Sequence, residues 1–171
     1  ESDIVHHSIV QIKHDWEVVY TYPYSHQYAA AGDNTLVDGL KGGDEFRTGD
    51  WQGFYATPFE ATIDLDELTV IDGMSLGCVQ DARPWIWLPE NVEFYSSIDG
   101  VEYQLIERVT HDLPEDEYEK TIHRFTTESS TKTRFIRVKA NPRGKIPSWH
   151  LGAGCDRWTF VDEWEIFIGD E

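Results

Sequence analysis

The chain has 171 residues, 40% of them hydrophobic and 27% charged, which is the composition of a globular rather than a disordered protein. Thirty-two acidic residues against 14 basic ones give a formal net charge of −18, which argues against a nucleic acid or an anionic membrane surface as partner. No apolar run approaches the length of a transmembrane helix, so we expect no membrane insertion. We interpret residues 1–171 as one domain in which 1–15 form a polar lead-in.

Short segments rich in β-branched and aromatic residues recur along the chain between glycine and proline signals, a pattern typical of β-strands. An irregular arm and a glycine-rich segment separate the first strand from the second, and Gly73 predicts a bulge. The predicted strands cover residues 16–22, 61–65, 68–76, 91–97, 103–109, 121–127, 134–140 and 159–168.

The pair Asp99-Gly100 is a strong signal for a hairpin between two of these strands. A Ser/Thr-rich turn is expected between 127 and 134, and Phe135, Ile136 and Val138 are expected to face the core. No convincing amphipathic helix is present. The pattern predicts an all-β fold, an eight-stranded antiparallel jelly-roll sandwich.

The segment from Thr35 to Phe54 is too rich in glycine for a regular element, and its glycines allow sharp turns that bring carbonyl groups together. Its four carboxylates are hard oxygen ligands, and Trp51 and Phe54 are large enough to anchor its far end. Such a loop suits a calcium ion. An acidic surface loop without metal is the alternative. The carboxylates are Asp38, Asp44, Glu45 and Asp50.

Sugar recognition requires an aromatic face for the C–H surface of the ring and a few polar groups for its hydroxyls. Two loops, 80–85 and 148–150, contain both aromatic and polar side chains, and residues 156–158 follow the second loop with a similar composition. We expect Trp85 or Trp149 to be the stacking platform, although packing in the core or in a loop is the alternative for each tryptophan. The other candidates for ligand contact are Asp81, Arg83, His150, Gln52 and Trp158.

Other chemistry finds little support in the sequence. The seven histidines do not cluster at metal-ligand spacing, and no Gly-x-Ser-x-Gly elbow, phosphate loop or His-Glu-x-x-His helix is present. We therefore expect no catalytic residues. Cys78 and Cys155 could form a disulfide or remain as two buried thiols.

The segments VEFYSSIDGVEYQLI and TRFIRVKA resemble the discoidin or coagulation-factor C-type domain family. Three further segments are similar to the galactose-binding-like module, of the family 32 carbohydrate-binding type, found C-terminal to bacterial family 20 β-N-acetylhexosaminidases. They are YPYSHQYAAAGDNTLVDGLKGG, WQGF and PSWHLGAGCDRWTFVDEWEI. The resemblance implies an eight-stranded jelly roll with a structural calcium ion beside its ligand-bearing end.

By position, the resemblance implies that Asp38 and Glu163 are the carboxylate ligands of this calcium, with carbonyl ligands at Thr35 and Leu40. The family often has a threonine two residues before the tryptophan. Here that position is Gly49, which leaves a carbonyl but no hydroxyl. Thr48, Asp44 or water would have to substitute for the hydroxyl.

The resemblance further implies a non-catalytic module of a larger glycoside hydrolase, a β-hexosaminidase, that is secreted, periplasmic or on the cell surface. Its expected partners are galactose-type or N-acetylhexosamine-type glycans and the catalytic domain of the same chain. A protein–protein or cell-surface adhesion domain on the same scaffold is the competing interpretation. A free-standing hydrolase is the interpretation with the least support.

Overall fold

The computed structural model describes residues 15–169, so nearly all of the lead-in predicted for 1–15, with His6, His7 and His14, lies outside the described residues. Two short 3-10 turns, His26–Tyr28 and Gly32–Val37, are the helical elements of this part of the chain. Its strands are β1 Val18–Tyr20, β2 Gln52–Tyr55, β3 Phe59–Gln80, β4 Asn91–Ser97, β5 Gln104–Thr110, β6 Thr121–Asn141 and β7 Trp158–Ile168.

All strand pairs are antiparallel, and the two long strands β3 and β6 take part in both layers of a sandwich. The first half of β3 pairs with β1 and with the second half of β6, which continues to β4 and then β5. The second half of β3 pairs with β7 and with the first half of β6, and β2 completes that layer. This is a jelly-roll sandwich, as predicted.

The described residues form seven strands rather than the predicted eight. Four predicted strands merge into two because the long strands bend instead of breaking, and β2, which was not predicted, is added. The predicted segments 61–65 and 68–76 are both part of β3, and 121–127 and 134–140 are both part of β6. The Ser/Thr-rich segment expected to turn stays paired, with Thr131 opposite Ile71 and Thr133 opposite Thr69. Threonine is β-branched and suits a strand, which explains why this segment continues the ladder.

Register shifts mark where the long strands bend. One lies between Asp64 and Thr69, and another between Ile71 and Gly73, where a bulge was predicted. The predicted hairpin is also confirmed, because β4 pairs with β5 around Asp99 and Gly100. The Asp99 carboxylate accepts hydrogen bonds from the backbone N–H groups of Val101 and Glu102 at 2.9 and 3.0 Å.

A core of aliphatic and aromatic side chains fills the space between the layers. It includes Ile136 and Val138 as predicted, but Phe135 is only half-buried and packs beside Gly100 instead. Side chains alternate across a strand, so Phe135 cannot share the inward face of its neighbour Ile136. Among the described residues no helix is long and apolar enough to cross a membrane. Cys78 is buried and Cys155 is exposed, and both are free thiols.

Candidate functional site

The loop between Val37 and Gln52 carries one end of the site, because two carboxylates meet where this loop touches β7. The Asp38 carboxylate accepts the backbone N–H of Leu40 at 2.8 Å, and the Glu163 carboxylate accepts that of Gly39 at 3.0 Å. Asp38 precedes a glycine with φ of 79°, a turn that favours glycine. The loop therefore folds back so that its first acidic residue lies beside a carboxylate from a distant strand.

Burial is the main cause of a raised pKa at both carboxyl groups of this pair. It raises the pKa of Glu163 to about 8, and the negative charges of Asp38 and Asp162 reinforce the effect. It also raises the pKa of Asp38, to which Asp50 and Asp162 contribute repulsion. A bound cation would reverse this balance by favouring the charged carboxylates.

The donor set fits an oxygen-coordinated cation. Asp38 and Glu163 are the carboxylates that come together, and Thr35 is buried just before them, with its hydroxyl bonded to the carbonyls of Ala29 and Gly32. Leu40 and Gly49 are exposed on the loop. Within residues 15–169 no three His, Cys, Asp or Glu side chains form a metal site by themselves, so backbone carbonyls would have to complete a calcium shell.

Two contacts fix the middle of this loop, and a third holds the carboxylate that takes part in one of them. The backbone N–H of Gly42 donates to the Asp162 carboxylate at 2.7 Å, and the buried Trp51 donates its indole N–H to the Gly43 carbonyl at 2.9 Å. Asp162 also accepts from Arg124 at 2.5 Å. These contacts place the next residues of the loop, Phe46 and its neighbours, against the sheet.

A cleft of about 450 Å³ opens beside the far side of the loop. Residues from three loops that are distant in sequence form its wall, which is mixed in character, with aromatic rings, cations and one carboxylate. The lining residues are Phe46, Arg47, Asp81, Arg83, Pro84, Tyr118 and Lys120. A wall of this kind suits a polar ligand that also has an apolar face.

Tyr118 connects the cleft to an exposed tryptophan. Its half-buried ring lies 5.6 Å from the Arg83 guanidinium and 5.9 Å from the ring of Trp149, which it meets edge to face. Trp149 is 47% exposed, which is more than any other tryptophan of the chain. Tyr118 and Trp149 therefore form a continuous aromatic edge beside the cleft.

The two loops predicted to carry the ligand do lie together. The backbone N–H of Trp158 donates to the Trp85 carbonyl at 2.9 Å, which brings the 156–158 segment against the 81–86 loop. Trp85 packs against the 147–154 loop, since a Cβ at Gly152 would lie 2.7 Å from its ring. Trp85 is thus half-buried between the loops, and the more accessible of the two predicted platforms is Trp149.

Three further predicted contact residues do not line the cleft, although the His150 ring lies 6.3 Å from the Tyr118 ring and 5.8 Å from the Trp149 ring. Gln52 is fully buried and donates to the carbonyls of Ala29 and Gly32, because the residue begins β2 on its inward face, so we exclude it from the site. His150 is also buried, and its Nδ1 accepts the backbone N–H of Gly152 at 2.9 Å. Trp158 packs between Tyr55 and Tyr28, with ring centroids 4.9 and 5.2 Å away, outside the cleft.

Four lining residues were not predicted from the sequence, of which Tyr118 is the most informative. It stands alone as an aromatic in an acidic segment, with Lys120 two positions later, and that contrast was the available signal. Phe46 and Arg47 lie in the loop that was interpreted as a calcium site, and no ligand contact was predicted for them. Asp81 and Arg83, in contrast, were predicted and do line the cleft.

Comparison with known proteins shows similarity in fold at low sequence identity. No protein-family model matches the sequence, and no curated protein matches it. Among solved structures, a family 32 carbohydrate-binding module of Clostridium perfringens NanJ in complex with galactose has a TM-score of 0.53 at 11% identity, covering 89% of this chain and 93% of that one.

Two further structures give the same result. The first family 32 module of a family 31 glycoside hydrolase from Clostridium perfringens has a TM-score of 0.53 at 15% identity, covering 90% of this chain and 94% of that one. A chitosan-binding module of a chitosanase/glucanase from Paenibacillus sp. IK-5 has a TM-score of 0.54 at 12% identity, with the same coverage. The chain therefore has the jelly-roll sandwich fold of these carbohydrate-binding modules.

Proposed function

We propose that this chain is a non-catalytic carbohydrate-binding module that binds one end of a glycan in the cleft and along the Tyr118–Trp149 edge. The observation that carries the proposal is the exposed Trp149 ring, which lies beside a cleft lined by charged side chains that can form hydrogen bonds. Aromatic faces bind the C–H surface of a sugar, and Asp81 and Arg83 can serve its hydroxyls as acceptor and donor. The solved modules of the same fold, one of them holding galactose, support this choice.

We further propose that the module belongs to a larger secreted, periplasmic or cell-surface glycoside hydrolase of the β-hexosaminidase type. This part of the proposal rests on the resemblance of the segments around Asp38, Trp51 and Trp149. Galactose and N-acetylhexosamines are the first ligands to test. The catalytic domain of such an enzyme would be the module's partner within the same chain.

A structural calcium ion is the third part of the proposal. Asp38 and Glu163 would hold it with backbone carbonyls that include Thr35, Leu40 and Gly49. When bound, the ion would supply positive charge to two carboxylates, one half-buried and one buried, that otherwise repel each other. The same loop continues into Phe46 and Arg47, which line the cleft. We therefore expect calcium binding to fix this loop and to hold these two residues in position.

Titration of the protein with galactose and N-acetylglucosamine by NMR or calorimetry tests the binding proposal. A shallow site that holds one sugar has little surface to bury, so we expect dissociation constants on the order of millimolar to high micromolar, or about −4 to −6 kcal/mol. The variants Trp149→Ala and Tyr118→Ala should weaken binding at least about fivefold, since stacked rings contribute about 1 kcal/mol or more.

Leu68→Ala is the matched control, because Leu68 is an exposed apolar residue of β3 and does not line the cleft. It should leave binding unchanged. Sugar binding that survives both aromatic variants would show that the site lies elsewhere. A chromogenic N-acetylhexosaminide assayed in parallel should not be turned over, and hydrolysis by the pure chain would contradict the non-catalytic assignment.

An adhesion domain that binds protein is the second candidate. Leu151 is fully exposed two residues after Trp149, which gives the loop an apolar tip. Such a tip could insert into a protein surface. The absence of binding to every glycan tested, with a stable fold, would favour this candidate.

A further inference from the structure

The cleft concentrates positive charge in a strongly acidic chain. Only 14 of the 171 residues are Lys or Arg, yet three of them line this one cleft, against a single carboxylate from Asp81. The three are Arg47, Arg83 and Lys120. Since the chain as a whole carries a formal charge of −18, this local excess of cations opposes the field of the surrounding surface.

The three cations differ in how far they are neutralised. Arg47 lies 3.4 Å from the Glu45 carboxylate, and its guanidinium also covers the Phe46 ring at 4.5 Å. Lys120 donates to the Asp44 carbonyl and lies 3.9 Å from Asp81. Both therefore have a carboxylate partner, although neither contact is buried.

Arg83 differs from the other two. Within residues 15–169 its guanidinium forms no ion pair, and it lies 5.6 Å above the Tyr118 ring on an exposed loop. The aromatic ring holds the guanidinium in place without neutralising its charge. Its planar set of N–H donors is thus available to a ligand in the cleft.

The balance of donors and acceptors indicates the kind of ligand. Arg and Lys offer only donors, whereas Asp81 is the single charged acceptor of the cleft. A neutral sugar can accept hydrogen bonds from these donors through its hydroxyls, but it leaves their positive charge uncompensated. A carboxylate or a sulfate accepts only, and it can take two parallel hydrogen bonds from one guanidinium.

We propose that the cleft binds a sugar residue bearing a negative charge, as a uronic acid carboxylate or a sulfate ester, through Arg83 with Lys120 as the second cation. This inference rests on the proposed function and specifies its ligand class. Asp81 contacts a hydroxyl of the same residue. The neighbouring Trp149 contacts the next sugar along the chain, where no charge is required.

A titration with matched sugars tests the inference. The probes are galactose, galacturonic acid and galactose 6-sulfate, each at low and at high sodium chloride. We expect at least one anionic sugar to bind tenfold or more tightly than galactose, with an advantage that shrinks at high salt because exposed charges are screened. The anionic probe that binds more tightly identifies the group, carboxylate or sulfate.

Arg83→Met should weaken binding of the preferred anionic sugar at least about fivefold more than binding of galactose, because it removes the charged partner of the anion but only a hydrogen-bond donor to a hydroxyl. Arg134→Met is the control for loss of charge, because Arg134 also lies over an aromatic ring, Phe135 at 5.0 Å, but near the other end of β6 from the cleft. Unlike Arg83, Arg134 donates two hydrogen bonds to Asp64 at 2.9 Å, so the melting temperature of this variant is measured to confirm that it is folded. Arg134→Met removes the same charge and should leave the preference intact.

Two results with the sugars would overturn the inference and leave the proposed function standing, and one result with the control variant would do the same. One is galactose binding as tightly as both anionic sugars, and the other is an equal loss of all three in Arg83→Met. A failure of every sugar to bind would instead contradict the proposed function itself. An equal effect of Arg83→Met and Arg134→Met would mean that only the net charge of the protein matters, which also overturns the inference.

Discussion

Asp38 has two roles in the structure, since it closes the turn at Gly39 and faces the buried Glu163. Replacing it with alanine should therefore cost more stability with calcium than without it. With the ion bound, the change removes a ligand and leaves a cation with one carboxylate fewer. Without the ion, the change relieves repulsion on Glu163, although the hydrogen bond to Leu40 is lost.

We expect Asp38→Ala to lower the melting temperature in excess calcium more than Asp112→Ala, and this difference to shrink after chelation. Asp112 is exposed in the loop after β5, where substitutions usually change stability by less than about 0.5 kcal/mol. Equal melting temperatures for the two variants in calcium would count against the metal site.

At the residue scale, the sequence predicted side chains best where their role depends on local neighbours. Asp99 sits in a turn whose signal spans four residues, and Asp81 and Arg83 belong to a short loop closed on itself by two hydrogen bonds between Asp81 and Ile86. Gln52 was predicted to contact the ligand but is buried. The direction of its side chain depends on the pleat of β2 and on the pairing of β2 with β7, which no local pattern shows.

The loop from Asp38 to Trp51 is held at an unusually close approach between Gly42 and Trp51. A Cβ at Gly42 would lie 2.0 Å from the indole ring, whereas a Cβ at the neighbouring Gly43 would meet nothing within 4 Å. Gly42→Ala must move the buried ring or the backbone that donates to Asp162. Such overpacking costs about 1–3 kcal/mol.

Chemical denaturation of the two variants measures this difference. Gly42→Ala should destabilise the protein by that amount, and it should also weaken sugar binding because the displaced loop carries Phe46 and Arg47. Gly43→Ala should change stability by less than about 1 kcal/mol in either direction. If both variants unfold at the same denaturant concentration, the loop is not anchored through this contact.

At the element scale, strand existence was easier to predict than strand number. β4 was predicted with its observed bounds because its alternation and its hairpin signal are both local. β3 and β6 were each divided in two, because a bend within a strand and a turn between strands have the same signature of polar or glycine residues. Only the pairing partners, which are distant in sequence, distinguish the two cases.

For the whole molecule, calcium should act as a ligand of the folded state alone. A ligand at about a hundred times its dissociation constant stabilises by roughly 2.7 kcal/mol. We therefore expect the melting temperature to fall when calcium is chelated and to recover when it is restored. Magnesium, which demands a smaller octahedral shell, should restore less of it. An unchanged melting temperature in chelator would contradict the calcium proposal.

The cleft shows what a single sequence cannot supply at this scale. Its walls come from the segments around Phe46, Asp81 and Tyr118, which meet only because β3 and β6 bring their ends together. The sequence indicated two aromatic loops and the correct fold class. It did not indicate that a lone tyrosine in an acidic segment would complete the site.

The passage of β3 and β6 through both layers has a consequence for how the protein reaches its folded state. Neither layer contains a full set of its own strands, so one layer cannot form as an independent intermediate while the other remains unfolded. The pairings that close the structure join residues far apart in sequence, such as Gln52 with Val161. Chains dominated by such pairings fold slowly, in milliseconds to seconds. During synthesis, the loop that holds Asp38 has no Asp162 or Glu163 to dock against until β7 has left the ribosome, so this loop must be among the last parts of the fold to become ordered.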